Sequence, residues 1–144
     1  MIDVNKAKNN DEKSVLLLLK EVNLPLEGVT ENFDNFFVAY KDGQLVGCAG
    51  IEIYNNFGLL RSVAVHSSSQ GYGLGRMLVN TVHKFSVEKG LKKIYLLTET
   101  AEKFFSKLNY VAIPRDKVDA KVKQSIEFTS LCPETAICMV KILN

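Results

Sequence analysis

The sequence predicts a mixed α/β fold on three observations: an antiparallel meander of three strands, a glycine-rich turn feeding one long amphipathic helix, and a short apolar strand after that helix. At 144 residues the chain has the length of one ordinary domain. No repeat, low-complexity tract or linker interrupts it, so residues 1–144 are read as a single domain.

The elements follow in order. Ile2 to Val4 reads as a first strand. Asn10 and Asp11 suit the start of a helix that runs through Val15–Leu19 to about Val22, with Pro25 as its stop. Phe36 to Tyr40 is a strand, and Asp42-Gly43 makes a hairpin because both residues accept positive φ. Gln44 to Tyr54 returns, Asn55-Asn56 turns the chain again, and Phe57 to Val65 completes the meander. A polar loop, His66 to Gln70, leads into Gly71-Tyr72-Gly73-Leu74-Gly75 and a helix to about Lys89. Leu74, Met77, Leu78, Val82 and Phe85 recur at helical spacing as one buried stripe, and Gly90 ends the helix. Lys93 to Thr98 is a buried strand. Thr100 to Leu108 is a short helix with Ala101, Phe104, Phe105 and Leu108 inward, and Tyr110 to Ala112 is a strand. Pro114 to Val122 reads as a small helix, and Ile137 to Ile142 as the last strand.

Composition narrows the function. Apolar residues make up 47% and charged residues 24%, as in a folded globular chain, and the formal charge of +2 is too small to point to nucleic acid or an anionic membrane. Three cysteines without paired spacing (Cys48, Cys132, Cys138) fit reduced thiols in a cytoplasmic setting. The longest apolar run, Val15 to Leu19, is far short of a membrane span, and the first residues lack a signal-peptide pattern. No His, Cys and carboxylate spacing suits a metal.

Gln70-Gly71-Tyr72-Gly73-Leu74-Gly75 between a strand and a helix is a candidate phosphate cradle. Glycines let backbone N–H groups approach a ligand, the helix start adds unpaired donors and a positive dipole end, and Arg76 adds a cation. The same glycines also suit a tight turn with no ligand. A dinucleotide fingerprint fits poorly: the third glycine position falls on Arg76 or Leu78, and the preceding strand is fed by a hairpin. No Lys-Ser/Thr pair follows, which excludes a Walker A loop.

Gln70-x-x-Gly73-x-Gly75, following Leu60-Arg61-Ser62-Val63-Ala64-Val65, resembles the acetyl-CoA motif of the GCN5-related N-acetyltransferases (GNATs), and the order of elements is similar to theirs over nearly the whole chain. The resemblance implies a mixed central sheet of about six to seven strands with about four flanking helices. It implies acetyl-CoA as co-substrate, with its pyrophosphate on the backbone of Gln70, Gly71, Tyr72, Gly73, Leu74, Gly75 and Arg76. It implies pantetheine on the main chain of Val63 and Val65, a bulge in that strand, and a gap beside the Lys93–Thr98 strand through which the thioester meets an amine. Leu59–Val65, Tyr95–Glu102, Phe104-Phe105 and the stretch from Ser125 to Pro133 are similar to the arsenic-resistance acetyltransferases, implying an arsenic- or phosphorus-containing amino acid as acceptor.

The simplest chemistry is direct attack by a neutral amine, which needs orientation, a donor to the thioester oxygen (the Val65 N–H) and a base. Glu52, in the apolar strand beside the cofactor strand, and Glu99, across the gap, are the candidate bases. On an alternating strand Glu52 equally suits solvent, and Glu99 equally suits the first turn of a helix. Arg61 is the candidate for an acceptor anion and equally suits a strand surface; Arg115 reads better as part of a helix start. The family often carries a Tyr as acid where this chain has Phe105, which cannot donate; Ser106 and Tyr110 are near in sequence. Cys132 lacks a convincing His partner for nucleophilic catalysis. The main reading is an acetyl-CoA-dependent acyltransferase acting on a small amine. A non-catalytic acetyl-CoA binder and a peptide acetyltransferase are its competitors. An exposed Ile137–Ile142 strand would offer an edge for a homodimer.

Overall fold

The computed structural model describes residues 2–131 and 135–143. Seven strands form one sheet in the order β1-β2-β3-β4-β5-β7-β6: β1 Ile2–Lys6, β2 Phe36–Lys41, β3 Gln44–Tyr54, β4 Phe57–Val65, β5 Lys93–Thr98, β6 Val111–Ala112 and β7 Ile137–Ile142. Among the described residues three α-helices accompany them: α1 Glu12–Glu21, α2 Leu74–Glu88 and α3 Glu102–Ser106. By internal contacts the chain divides into two compact units, Met1–Ile51 with Arg61–Phe85, and Glu52–Leu60 with Ser86–Asn144.

In the first unit, β1 runs antiparallel to β2 and β2 to β3. Asp42 and Gly43 both take positive φ (51° and 81°), as the hairpin requires. Val15, Leu18 and Leu19 of α1 pack on Phe33, Phe36, Val38, Cys48 and Ala64. What ends α1 is Asn23, in the left-handed region at φ 61°, with the Leu24 N–H reaching back to the Leu19 carbonyl at 2.9 Å. Pro25 comes after the helix has already stopped. Along α2 the buried apolar residues are Leu74, Leu78, Val79 and Val82. Met77, expected inside, is 44% exposed: at about 100° per residue it falls on the rim of the stripe, and Val79 fills the inner face instead. Gly47, opposite this helix, is closely covered: a Cβ there would lie 2.8 Å from Leu78 Cδ1 and 3.2 Å from the Ala64 carbonyl oxygen, so Leu78 would have to shift to admit one.

In the second unit, β4 and β5 pair in parallel through Phe57–Leu59 and Lys93–Tyr95, and β7 lies antiparallel to both β5 and β6. Leu59, Tyr95, Val118, Val122, Cys138 and Val140 make its core. Gly90, at φ 79°, caps the end of α2, with the Leu91 N–H on the Ser86 carbonyl at 3.0 Å. Two expectations change here. Ile137–Ile142 is not a sheet edge, because the two residues of β6 pair with Met139 and Val140 and take the edge position. The stretch from Pro114 to Val122 makes two 3₁₀ turns, Arg115–Lys117 and Val122–Gln124, in place of a helix. Asp119 accounts for the break: its carboxylate accepts the Lys121 N–H at 3.0 Å, a local bond that competes with the helical ladder. A π-helical turn at Glu127–Leu131, unforeseen in the sequence, follows.

Candidate active site

The glycine loop and the end of β4 come together within the first unit. Gly71 and Gly73 adopt φ of 89° and 80°. A Cβ on either would meet no atom within 4 Å, so the backbone conformation, not crowding, calls for glycine. The ladder of α2 begins at the Met77 N–H, which donates to the Gly73 carbonyl at 3.1 Å. The N–H groups of Leu74, Gly75 and Arg76 therefore precede the first intrahelical bond. Gln70 holds the loop from its other end: its Nε2 donates to the Val65 carbonyl at 3.0 Å. His66 organises the intervening turn, with its N–H on the Val46 carbonyl at 2.7 Å and its Nδ1 accepting the Ser68 N–H at 3.1 Å. Tyr72 projects to solvent at 77% exposure. Beside Gly73 a groove runs along α2, lined by Arg76, Met77, Asn80, Thr81 and Lys84. Two cations thus share the helix face that starts at the loop.

Strand β4 carries an irregularity where the family resemblance implies a bulge. Ser62 sits at φ 59°, a left-handed residue inside a strand, which is the signature of a local bulge. Val63 and Val65 follow it, both half-buried. Arg61 precedes it and is only 3% exposed. Its Nε donates to Ser62 Oγ at 3.0 Å and an NH2 donor reaches the Glu27 carbonyl at 2.7 Å. The guanidinium is a fixed buried cation that ties the segment after α1 to β4, not a mobile surface charge. The Ser62 carbonyl is met in turn by the Cys48 thiol at 3.2 Å. Burial pushes that thiol up to about 12.

In the second unit, Glu52 is 2% exposed and accepts a hydrogen bond from the Tyr54 hydroxyl. Of the two faces open to it on an alternating strand, Glu52 takes the buried one. Glu99 lies in the bend between β5 and α3 and is exposed. Phe105 is buried, edge-on to Phe104 and to Tyr110 with centroids 5.0 and 5.6 Å apart. Tyr110 is itself a core residue whose phenol burial pushes well above its ordinary value, so it is a poor acid in Phe105's stead. Arg115 donates to the Ala136 carbonyl at 3.2 Å and stands over the Phe128 ring. Glu127 is a second buried carboxylate, on the π-helical turn. Its only sequence signal was its place in the Ser125-x-Glu127 stretch. Cys132 lies outside the described residues.

Residues 32–112 match the family model described as an acetyltransferase (GNAT) domain. The chain belongs to the GNAT acetyltransferase family. It is 30% identical over 123 residues to an uncharacterized N-acetyltransferase of Chlorobaculum tepidum, covering 82% of this chain and 77% of that protein. It is 26% identical over 103 residues to the amino-acid acetyltransferase of Mycobacterium tuberculosis, covering 71% of this chain but only 56% of that protein. In fold it is similar to the N-acetylglutamate synthase of Neisseria gonorrhoeae, solved with coenzyme A and N-acetyl-glutamate: the TM-score is 0.86 at 18% identity, over all of this chain and 35% of that one. Family membership makes this GNAT chain an acyltransferase. No helix among the described residues is long and apolar enough to cross a membrane.

Proposed function

We propose that this GNAT chain moves the acetyl group of acetyl-CoA onto the primary amine of an amino acid, and that residues 1–144 act as one catalytic domain in the cytoplasm. The observation that carries the co-substrate is the loop. Two left-handed glycines open a helix whose first N–H groups precede its own ladder, with Arg76 and Lys84 along the adjoining groove. A pyrophosphate needs this donor set: backbone N–H groups, a positive dipole end and a nearby cation. Gln70, Gly71, Tyr72, Gly73, Leu74, Gly75 and Arg76 would hold it, and the main chain of Val63 and Val65 would hold the pantetheine arm. Acetyl-CoA supplies an acetyl thioester, whose oxygen the Val65 N–H is suited to receive.

The amino-acid acceptor is supported by the Mycobacterium tuberculosis relative and by the synthase of similar fold. Arg61, a guanidinium already fixed on β4 by Ser62 and Glu27, supplies a positive charge for the acceptor's carboxylate. Of the two candidate bases, Glu52 is the better one. It is buried and held by Tyr54, whereas Glu99 stands in solvent. Glu52 takes one proton from the acceptor's ammonium, leaving the neutral amine to attack. Phe105 gives the departing thiolate no proton; the thiolate leaves without one from the protein, and the acylated nitrogen sheds its second proton to that thiolate or to water as the amide forms.

Calorimetry with acetyl-CoA, and NADH as control, tests the co-substrate. Micromolar binding of the first alone is expected, and a folded protein that binds neither ends this reading. Release of the coenzyme A thiol is then followed with L-glutamate, L-glutamine, the other amino acids, and arsinic and phosphinic analogues of glutamate. The standard amino acids are expected to lead. Preferential turnover of the arsinic or phosphinic compounds would move the acceptor to that class.

A further inference from the structure

We infer that Tyr54 is a positioning residue for Glu52, an inference that rests on the reading of Glu52 as the base. The two residues stand two apart on β3, so their side chains leave the strand on the same side. The Tyr54 hydroxyl donates to Glu52 Oε1. The phenol has no freedom to wander: its ring packs against the cluster of Leu59, Tyr95, Val118 and Val122. Glu52 has the opposite character, a flexible three-torsion side chain with a carboxyl end in a buried place.

A base works only when its accepting oxygen is held within hydrogen-bond reach of the proton it takes. An ionised carboxylate accepts at both oxygens, and a donor fixed on one of them sets the plane and direction of the other. Tyr54 thereby selects one orientation of Glu52 out of several. In the reaction the acceptor's ammonium loses one proton to Glu52 before attack, and the acylated nitrogen loses its second to the departing thiolate or to water. Tyr54 keeps its own proton throughout, and no bond at its oxygen is made or broken. Its contribution is orientation of the group that does react, and rigid aromatic packing is what makes the orientation dependable.

The sequence hides this pair. Glu52 and Tyr54 are separated by Ile53 in a run that reads as an ordinary strand, and Tyr54 precedes a turn, where tyrosine commonly faces solvent. The second buried carboxylate of the unit, Glu127, shows a different arrangement. Its backbone N–H donates to Ser125 Oγ at 3.1 Å, as part of a turn.

The test uses the full chain, acetyl-CoA and the amino acid that turns over fastest in the screen above. Glu52→Gln, Tyr54→Phe and the double variant are compared in kcat, in KM for acetyl-CoA and in acetyl-CoA affinity by calorimetry. Tyr54→Phe keeps the ring and removes only the donor. Losing one hydrogen bond to a charged group predicts a fall in kcat of about ten- to a hundredfold, with KM for acetyl-CoA unchanged. In the Glu52→Gln background the same change should add nothing, because the group it orients is gone. Tyr54→Leu, which also removes the ring, should lose the same factor in kcat and more in melting temperature. That separation keeps hydroxyl and packing apart even if one variant folds poorly. Tyr54→Phe within twofold of wild type, while Glu52→Gln has lost about a hundredfold or more, overturns the inference and leaves the base in place. Losses that simply add in the double variant overturn it as well, since Tyr54 would then act independently. Full activity in Glu52→Gln, or a screen without turnover, overturns the base and the inference together.

Discussion

The loop at residues 70–76 and the pair of Glu52 and Tyr54 on β3 meet opposite physical demands. The loop presents backbone: its N–H groups precede the ladder of α2, its glycines face open space, and Tyr72 stands in water. The pair presents side chains in a buried setting, each fixed by the other and by the apolar cluster around Tyr54. Affinity built from exposed backbone depends on φ and ψ and hardly on neighbours. Chemistry built from buried side chains depends on neighbours and hardly on local conformation. Substitutions in the loop should therefore change binding at little cost in stability. Substitutions around the pair should change turnover, and those that remove packing should change stability too.

The largest effect expected from the loop is that of Gly73→Val. A β-branched residue at φ 80° is strained by about 1–3 kcal/mol. The loop escapes by leaving that conformation, since no tertiary contact at the Cβ position holds it there. We expect acetyl-CoA affinity to fall by roughly five- to a hundredfold, with melting within a few degrees of wild type. Calorimetry and thermal denaturation on the same sample check both halves. A large fall in melting temperature would show that the loop is a structural turn first, and the contrast with Glu52 and Tyr54 would fail.

A smaller effect separates two of the left-handed sites of the first unit. Gly73 is what a positive φ asks for, whereas Ser62 holds φ 59° with a side chain attached. Ser62→Val should destabilise by about 1–2 kcal/mol through the β-branched Cβ, and it also removes the acceptor of Arg61 Nε. Ser62→Gly removes the same acceptor but relaxes the backbone, so it should lie near wild type. Denaturant midpoints of the two variants isolate the backbone term. Equal losses would put the whole cost on the Arg61 contact instead.

These sites also mark where sequence stops informing. Gly71 and Gly73 were legible because only glycine takes their conformation cheaply, and Asp42-Gly43 was legible for the same reason. β3, β4, β5 and β7 were legible to the residue, since turn chemistry and apolar runs bound them sharply. The bulge in β4 was implied by the family resemblance, but not that Ser62 carries it, because serine bears no mark of a bulge. Arg61 named itself as an unusual residue, yet its tether to the Glu27 carbonyl joins segments far apart in sequence and needs the fold to be seen. Glu52 was legible as a candidate but not as a buried one: a strand has two faces, and local pattern does not say which face a lone acid takes. The place of β7 inside the sheet was hidden because the two residues of β6 are too few to read as an edge strand.

The smallest effect concerns the other tyrosine–carboxylate pair, which has no part in the proposed chemistry. Tyr40 donates to Asp11 at the start of α1, and that hydrogen bond, then burial, then the Asp11 charge, push its phenol from 10.0 up to about 12. Below pH 10 the phenol is protonated in folded and unfolded chains alike, and its contribution to stability is whole. As pH rises through the window from 10 to 12 the unfolded chain loses the proton first, so stability falls with pH until the folded phenol ionises too. The Cys48 thiol, held up to about 12 by burial from an ordinary 9.0, adds to the same alkaline loss. Tyr40→Phe should be slightly less stable than wild type at neutral pH, where the bond to Asp11 is missing, and should lose stability less steeply above pH 10. Denaturant midpoints at pH 8, 10 and 11 measure the slope. Because Tyr40 is only partly buried, screening keeps the difference modest. A slope identical in the two proteins would mean that the Asp11 bond does not outlast alkaline conditions, and would leave Glu52 and Tyr54 as the pair in which a phenol's grip on a carboxylate has consequences.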